Sequence, residues 1–125
     1  MDTKAIVSAI AVLAAAAGCS TTPQQSLEDL NMPIIQTKYT ADPSPVVIGD
    51  TLYLYTSHDE DDGENFHMKD WLLYTTTDMV NWQDRGAVAG LRNFKWYRNN
   101  NGAWAQQVVE RNGKFYMYCP IHGNG

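Results

Sequence analysis

The chain has 125 residues, a length that on its own suits one small domain. Its formal net charge of −5 argues against a nucleic-acid-binding protein, which needs a basic patch. It contains two cysteines, Cys19 and Cys119, so modification of either one would leave no pair for a disulfide bond.

The N-terminal segment has the pattern of an export signal. Residues 5–18 are apolar and uncharged, and Lys4 precedes them. A membrane-spanning helix needs about 20 apolar residues, so this run fits the hydrophobic part of a secretory signal instead. It ends in Ala-Ala-Gly-Cys, which resembles the lipobox of bacterial lipoproteins, and a polar tether follows. We expect a signal peptide over residues 1–19, lipidation of Cys19, a tether over residues 20–30, and a protein exported and lipid-anchored at the bacterial cell envelope. An ordinary signal peptide that happens to hold a cysteine is the alternative.

From residue 31 to residue 125 the sequence predicts short β-strands separated by turns. The predicted strands, in chain order, cover residues 46–49, 52–57, 70–77, 83–89, 105–110 and 114–121. Gly49-Asp50 and Asn112-Gly113 are typical of tight hairpin turns, and Asn-Gly is the strongest short hairpin signal. Cys119, in the last apolar strand, is expected to be a buried space-filling residue. The predicted fold class is therefore all-β.

The last hairpin resembles a repeat of the first. Residues 41–47 align with residues 103–109, and LYLY at residues 52–55 aligns with FYMY at residues 115–118. The spacing is 62 residues in the first strand (108 minus 46) and 63 in the second (115 minus 52). Repeated four-stranded units with apolar residues on both faces are typical of propeller blades, and a propeller has at least about four. The alternative is two unrelated hairpins of similar composition.

Four ordered motifs then resemble the N-terminal part of glycoside hydrolase family 43, of the arabinofuranosidase or β-xylosidase type. They are YTADPSP at residues 39–45, LYLYTSHDED at 52–61, TDMVNW at 77–82 and GAWA at 102–105. The resemblance covers residues 31–125 and implies a five-bladed β-propeller, of which these residues form the first blade and part of the second. One departure is Gln106, where family members often have proline; we expect this difference to cost little.

The same resemblance implies an enzyme that hydrolyses O-glycosidic bonds with inversion, through three carboxylates. Asp42 matches the motif of the general base, whereas the second aspartate and the glutamate acid would come from later blades. Residues 1–125 alone are therefore expected to be inactive. The implied substrate is plant-wall polysaccharide that contains arabinose or xylose, and the rival hypothesis is a non-catalytic glycan-binding lipoprotein with the same fold.

The predicted strand order places the candidate site residues at one rim. Asp42 should immediately precede the first strand, and the second strand should end at His58-Asp59 on the same rim. By the repeat, Trp104 takes the position of Asp42, and His122 lies near that of Ser57 and His58. We therefore predict Asp42 as the general base and His58, Asp59, Trp104 and His122 as substrate-binding residues. The alternatives are that Asp42 only shapes the start of the strand, that His58 and Asp59 only cap a strand, and that Trp104 packs between blades.

The acidic run at residues 59–64 does not predict a metal site. Placing Gly63 at the sixth position of an EF-hand loop puts His58 first and Glu60 third, which is not the required pattern. A solvated rim loop is the better interpretation. No cofactor is expected for the chemistry. Calcium occurs in parts of the resembling family as a structural ion, and its ligands are expected outside this chain.

Overall fold

The computed structural model describes residues 32–122, so the predicted signal, the tether and Cys19 lie outside the described residues. Regular structure there consists of β1 (Tyr39–Ile48), β2 (Thr51–Asp59), β3 (Met68–Thr76), β4 (Gln83–Gly90), a 3-10 turn (Leu91–Asn93), β5 (Gln107–Arg111) and β6 (Lys114–Tyr118). The all-β class is confirmed. No helix within residues 32–122 is long and apolar enough to cross a membrane.

The strands form two antiparallel sheets. Strands β1 to β4 make one sheet in chain order, and β5 pairs with β6 in the other. Both predicted hairpins are present, each with a two-residue loop between paired strand ends. Asn112 and Gly113 have φ values of 54° and 73°, the left-handed pair that suits the twist of the flanking strands. This local chemistry sets where each hairpin folds back.

The four-stranded sheet packs apolar side chains on both faces, as the sequence predicted. On one face Trp71 is fully buried and packs with Met68, Leu91 and Ala103. On the other face the buried residues are Leu54, Leu72 and Tyr74, and Ile35 and Trp82 pack against them. A sheet buried on both faces is typical of stacked layers rather than of an open sandwich.

Hydrogen bonds join the two sheets along the Trp71 face. The indole Nε1 of Trp71 donates to the backbone oxygen of Trp104 at 2.7 Å. The Met68 carbonyl accepts the amides of both Gly102 and Ala103, at 2.9 and 3.0 Å. The two sheets are thus attached through buried main-chain and indole groups, and the position of β5–β6 relative to β1–β4 is defined.

The register of the two hairpins shows the predicted repeat directly. Ala41 pairs with Ser57, and 62 residues later (103 minus 41) Ala103 pairs with Ile121. In the second strand, however, the equivalent positions are 64 residues apart (121 minus 57), not the predicted 63. The LYLY alignment was wrong by one residue because each strand of the β5–β6 hairpin is one residue longer before its turn.

The position of Asp42 also differs from the prediction. Asp42 lies inside β1, which begins seven residues earlier than expected (46 minus 39), rather than just before it. A β-bulge between Ala41 and Ser44 places Asp42 and Pro43 opposite the single residue Thr56. Proline has no amide hydrogen for the ladder, so a bulge accommodates it without loss of a strand hydrogen bond.

Candidate functional site

The centre of the predicted site is the exposed carboxylate of Asp42 and the buried hydroxyl of Ser57. Asp42 has a φ of 52°, in the left-handed region that few residues other than glycine adopt. Its Oδ2 accepts a hydrogen bond of 2.7 Å from Ser57 Oγ, and Ser57 is 0% exposed. The bulge therefore projects the carboxylate into solvent, while the next strand holds one of its oxygens.

A second polar group surrounds His58. Because Ser57 and His58 are adjacent in β2, their side chains leave opposite faces of the sheet. His58 Nδ1 lies 2.9 Å from Asp70 Oδ1 and 3.9 Å from Glu60 Oε1. Lys69 Nζ lies 3.2 Å from Glu60 Oε2, so the half-buried group contains two carboxylates, one ammonium and one imidazole. A proton on Nδ1 directed at Asp70 would leave Nε2 as the acceptor of the ring.

Asp59 closes the loop that follows β2. Its Oδ1 accepts the backbone amide of His67 at 2.9 Å, and the Glu60 amide donates to the His67 carbonyl at the same distance. Asp61, Asp62 and Glu64 within this loop are exposed, as expected of a solvated rim loop. Asp59 also lines a shallow depression on this loop, to which Asp42 does not contribute.

Trp104 and His122 lie on the second hairpin at the positions that the register repeats. Trp104 is the equivalent of Asp42, and it is partly buried against the Trp71 cluster. His122 is exposed, and its backbone amide donates to the Gly102 carbonyl at 3.1 Å. Gly102 and His122 occupy the positions that Thr40 and His58 occupy in the first hairpin, where those two residues are paired. The prediction that His122 lies in the neighbourhood equivalent to His58 thus agrees with the backbone pairing.

The five predicted residues lie toward the ends of their hairpins that are distant from the turns, but they fall into separate groups. Among residues 32–122, no hydrogen bond joins Asp42 to His58, Asp59, Trp104 or His122. Ser57 and Asp70, which contact Asp42 and His58, were not selected from the sequence. A signal existed for both, since Ser57 ends the predicted second strand and Asp70 begins the predicted third strand.

The group around His58 does not suit calcium. Calcium takes six to eight oxygen ligands, whereas this group offers a nitrogen and two carboxylates. Its Asp70 oxygen already faces His58, and its Glu60 carboxylate faces the Lys69 ammonium. The group is better described as an internally paired hydrogen-bond cluster.

Gln106 carries a cost that the sequence did not reveal. Its side chain is 4% exposed, and within the described part of the chain neither its amide nitrogen nor its amide oxygen has a hydrogen-bond partner. An unsatisfied buried amide costs about 1–3 kcal/mol. This buried amide is evidence against the expectation that glutamine costs little at this position.

The profile described as "Glycosyl hydrolases family 43" matches residues 30–125. A "Xylosidase/arabinosidase" of Bacteroides ovatus is 36% identical over 92 residues, which are 66% of this chain and 28% of that protein. "Xylosidase/arabinosidase 43A" of Humicola insolens is 31% identical over 98 residues, 70% of this chain and 29% of the relative. The chain thus spans less than a third of the length of these relatives.

Solved structures agree with this relationship. The GH43_1 enzyme from Xanthomonas citri complexed with xylotriose superimposes with a TM-score of 0.63 at 36% identity, over 72% of this chain and 27% of that one. A β-xylosidase/α-arabinofuranosidase from a compost metagenome, in complex with xylotriose and described as a calcium-free form, gives 0.63 at 28% identity, over 72% of this chain and 29% of its own.

Proposed function

Because this chain belongs to glycoside hydrolase family 43, we propose that the protein hydrolyses O-glycosidic bonds of xylose- or arabinose-containing plant-wall polysaccharide. The fold of the family is a β-propeller, of which β1–β4 form one blade and β5–β6 part of another. Relatives named xylosidase or arabinosidase, and neighbours solved with xylotriose, support the substrate class. The observation that carries the proposal is the exposed Asp42 carboxylate, held at the blade rim by Ser57.

In this proposal Asp42 is the general base of an inverting reaction. Its carboxylate removes a proton from water as the water oxygen attacks the anomeric carbon. The bond to the leaving oxygen breaks on the opposite side, and that oxygen takes a proton from a general acid. Inverting enzymes hold acid and base roughly 6.5–9.5 Å apart, which leaves room for the water. No residue within 1–125 is assigned as the general acid or as the second aspartate. These residues alone are therefore expected to be inactive.

The remaining candidate residues have binding roles in this proposal. Sugar rings present apolar faces that pack on aromatic rings and hydroxyl groups that need polar partners. Trp104, at the position equivalent to Asp42, suits the first role. His58, Asp59 and His122 suit the second, with His58 held by Asp70.

The proposal is tested with the protein as encoded, including any residues that follow Gly125. We expect hydrolysis of aryl β-xyloside or aryl α-arabinofuranoside, with the product sugar released in the inverted anomeric form as observed by proton NMR. A retained anomer would refute the mechanism. Binding of xylo-oligosaccharide without hydrolysis would favour the rival hypothesis of a glycan-binding lipoprotein.

We also propose that the protein is exported and anchored by lipid at Cys19, because a lipobox-like sequence and a polar tether precede the family domain. Metabolic labelling with a palmitate analogue tests this. Labelling of the wild type and its loss in Cys19→Ser is expected, whereas an unlabelled, cleaved wild type would indicate an ordinary signal peptide. Any structural calcium is expected to bind outside the His58 group, for the reason of ligand chemistry given above.

A further inference from the structure

The bond between Ser57 and Asp42 has features of a positioning contact. Ser57 is fully buried, and its hydroxyl donates to Asp42 Oδ2 at 2.7 Å. Such a bond to a carboxylate is shorter and stronger than one between neutral groups. Within the described residues, Oδ1 of Asp42 accepts no hydrogen bond. One oxygen is therefore held by the fold and the other is free.

The backbone at Asp42 makes this restraint useful. A carboxylate that projects from a bulge into solvent has few packing contacts to select one rotamer. Pro43 follows it and Ser44 is buried, so the main chain on that side is fixed. The Ser57 hydroxyl supplies the missing restraint on the side chain itself.

The second hairpin provides an internal comparison. Its pairing is comparable, since Ala103 pairs with Ile121 and Gln107 with Tyr118, but residues 104–106 lie outside its strands and Trp104 does not share the positive φ of Asp42. At the positions of Asp42 and Ser57 it carries Trp104 and Ile121, which form no side-chain hydrogen bond with each other. The left-handed bulge and the serine–aspartate pair thus occur together in the first hairpin, and the equivalent residues of the second hairpin have neither. The hairpin that projects a carboxylate is the one that holds it with a buried hydroxyl.

We infer that Ser57 is a positioning residue for the general base: it fixes Oδ2 of Asp42, so that Oδ1 takes the proton from the attacking water. This inference rests on the proposed function. A water O–H bond breaks, its proton passes to Oδ1, and the water oxygen bonds to the anomeric carbon. The bond between that carbon and the leaving oxygen breaks, and the general acid protonates the leaving oxygen. Ser57 gives up no proton in this step.

The experiment compares Ser57→Ala with a matched control in the same protein as encoded. Thr56→Val removes a neighbouring buried hydroxyl that has no hydrogen-bond partner among the described residues and points to the opposite face of the sheet. We expect Ser57→Ala to lower kcat about 10- to 100-fold, because a small misplacement of a reacting group has effects of that order, with KM changed less than about 2-fold. Thr56→Val should leave both constants within about 2-fold.

Two further measurements separate positioning from folding. Ser57→Thr keeps a hydroxyl and should recover most of the lost kcat, whereas circular dichroism should show Ser57→Ala to be as fully folded as the wild type. The inference is overturned if Ser57→Ala has the wild-type kcat. It is also overturned if the loss of kcat is fully explained by a lower fraction of folded protein. If Asp42→Asn is inactive while Ser57→Ala is fully active, the inference alone fails. If Asp42→Asn keeps full activity, the proposed base itself is wrong.

Discussion

Replacement of Trp71 by phenylalanine tests how the two sheets are joined. The Trp71 indole is fully buried, donates to the Trp104 carbonyl at 2.7 Å, and meets Phe94 edge to face with ring centroids 6.3 Å apart. Phenylalanine would keep much of the packing but leave the carbonyl without its donor, at a cost of about 1–3 kcal/mol. The smaller ring adds roughly 1 kcal/mol of lost burial. We expect a total loss of about 2–4 kcal/mol in the free energy of unfolding.

The assay is urea unfolding of the purified protein followed by far-ultraviolet circular dichroism. The control is Trp96→Phe, since Trp96 is 67% exposed and a surface change of this kind stays within about 0.5 kcal/mol. If Trp71→Phe unfolds at the same urea concentration as Trp96→Phe, the indole bond does not hold the hairpins together, and the described arrangement of β5–β6 against β1–β4 would be wrong.

Two further predictions concern stability. Burial raises the pKa of Tyr74 to about 12 from its ordinary value of 10.0, so the folded state favours the neutral phenol and stability should fall as pH rises from about 10 to about 12. Tyr74→Phe should lose less stability over that interval in thermal melts at each pH, and an equal loss would contradict this. A Cβ on Gly102, whose φ is 119°, would lie 2.7 Å from Tyr97 Oη and 2.8 Å from His122 Cβ. Gly102→Ala should therefore melt at a lower temperature than Gly113→Ala, where φ is 73° and nothing lies within 4 Å; equal melting temperatures would contradict it.

Local chemistry explains the parts of the fold that could be predicted. Glycine and asparagine at the two hairpin turns adopt positive φ readily, so both turns were located correctly from the sequence. The burial of both sheet faces was predictable from β2, because consecutive apolar or aromatic residues there point alternately to the two faces. The repeat was predictable as well, because Ala41 and Ala103 hold the same place in their hairpins.

The errors arose where long-range pairing decides the outcome. Sequence alignment alone does not show how many residues each strand contributes before its turn, so the second half of the repeat was displaced by one position. The Asp-Pro pair indicated a break, and the structure instead continues β1 through it as a bulge. The contacts of Asp42 with Ser57 and of His58 with Asp70 cross between strands, and their geometry depends on a register that composition does not determine.

The central claim, that Asp42 is the general base of a glycosidase, is tested most directly by Asp42→Asn in the protein as encoded. Asparagine keeps the size of the side chain and a hydrogen-bond acceptor for Ser57, but it cannot take the proton from water. The measurement is kcat for aryl xyloside and aryl arabinofuranoside hydrolysis, with circular dichroism to verify the fold. We predict a folded protein whose kcat is lower by about 10²–10⁴. A folded Asp42→Asn variant with the wild-type rate would contradict the claim.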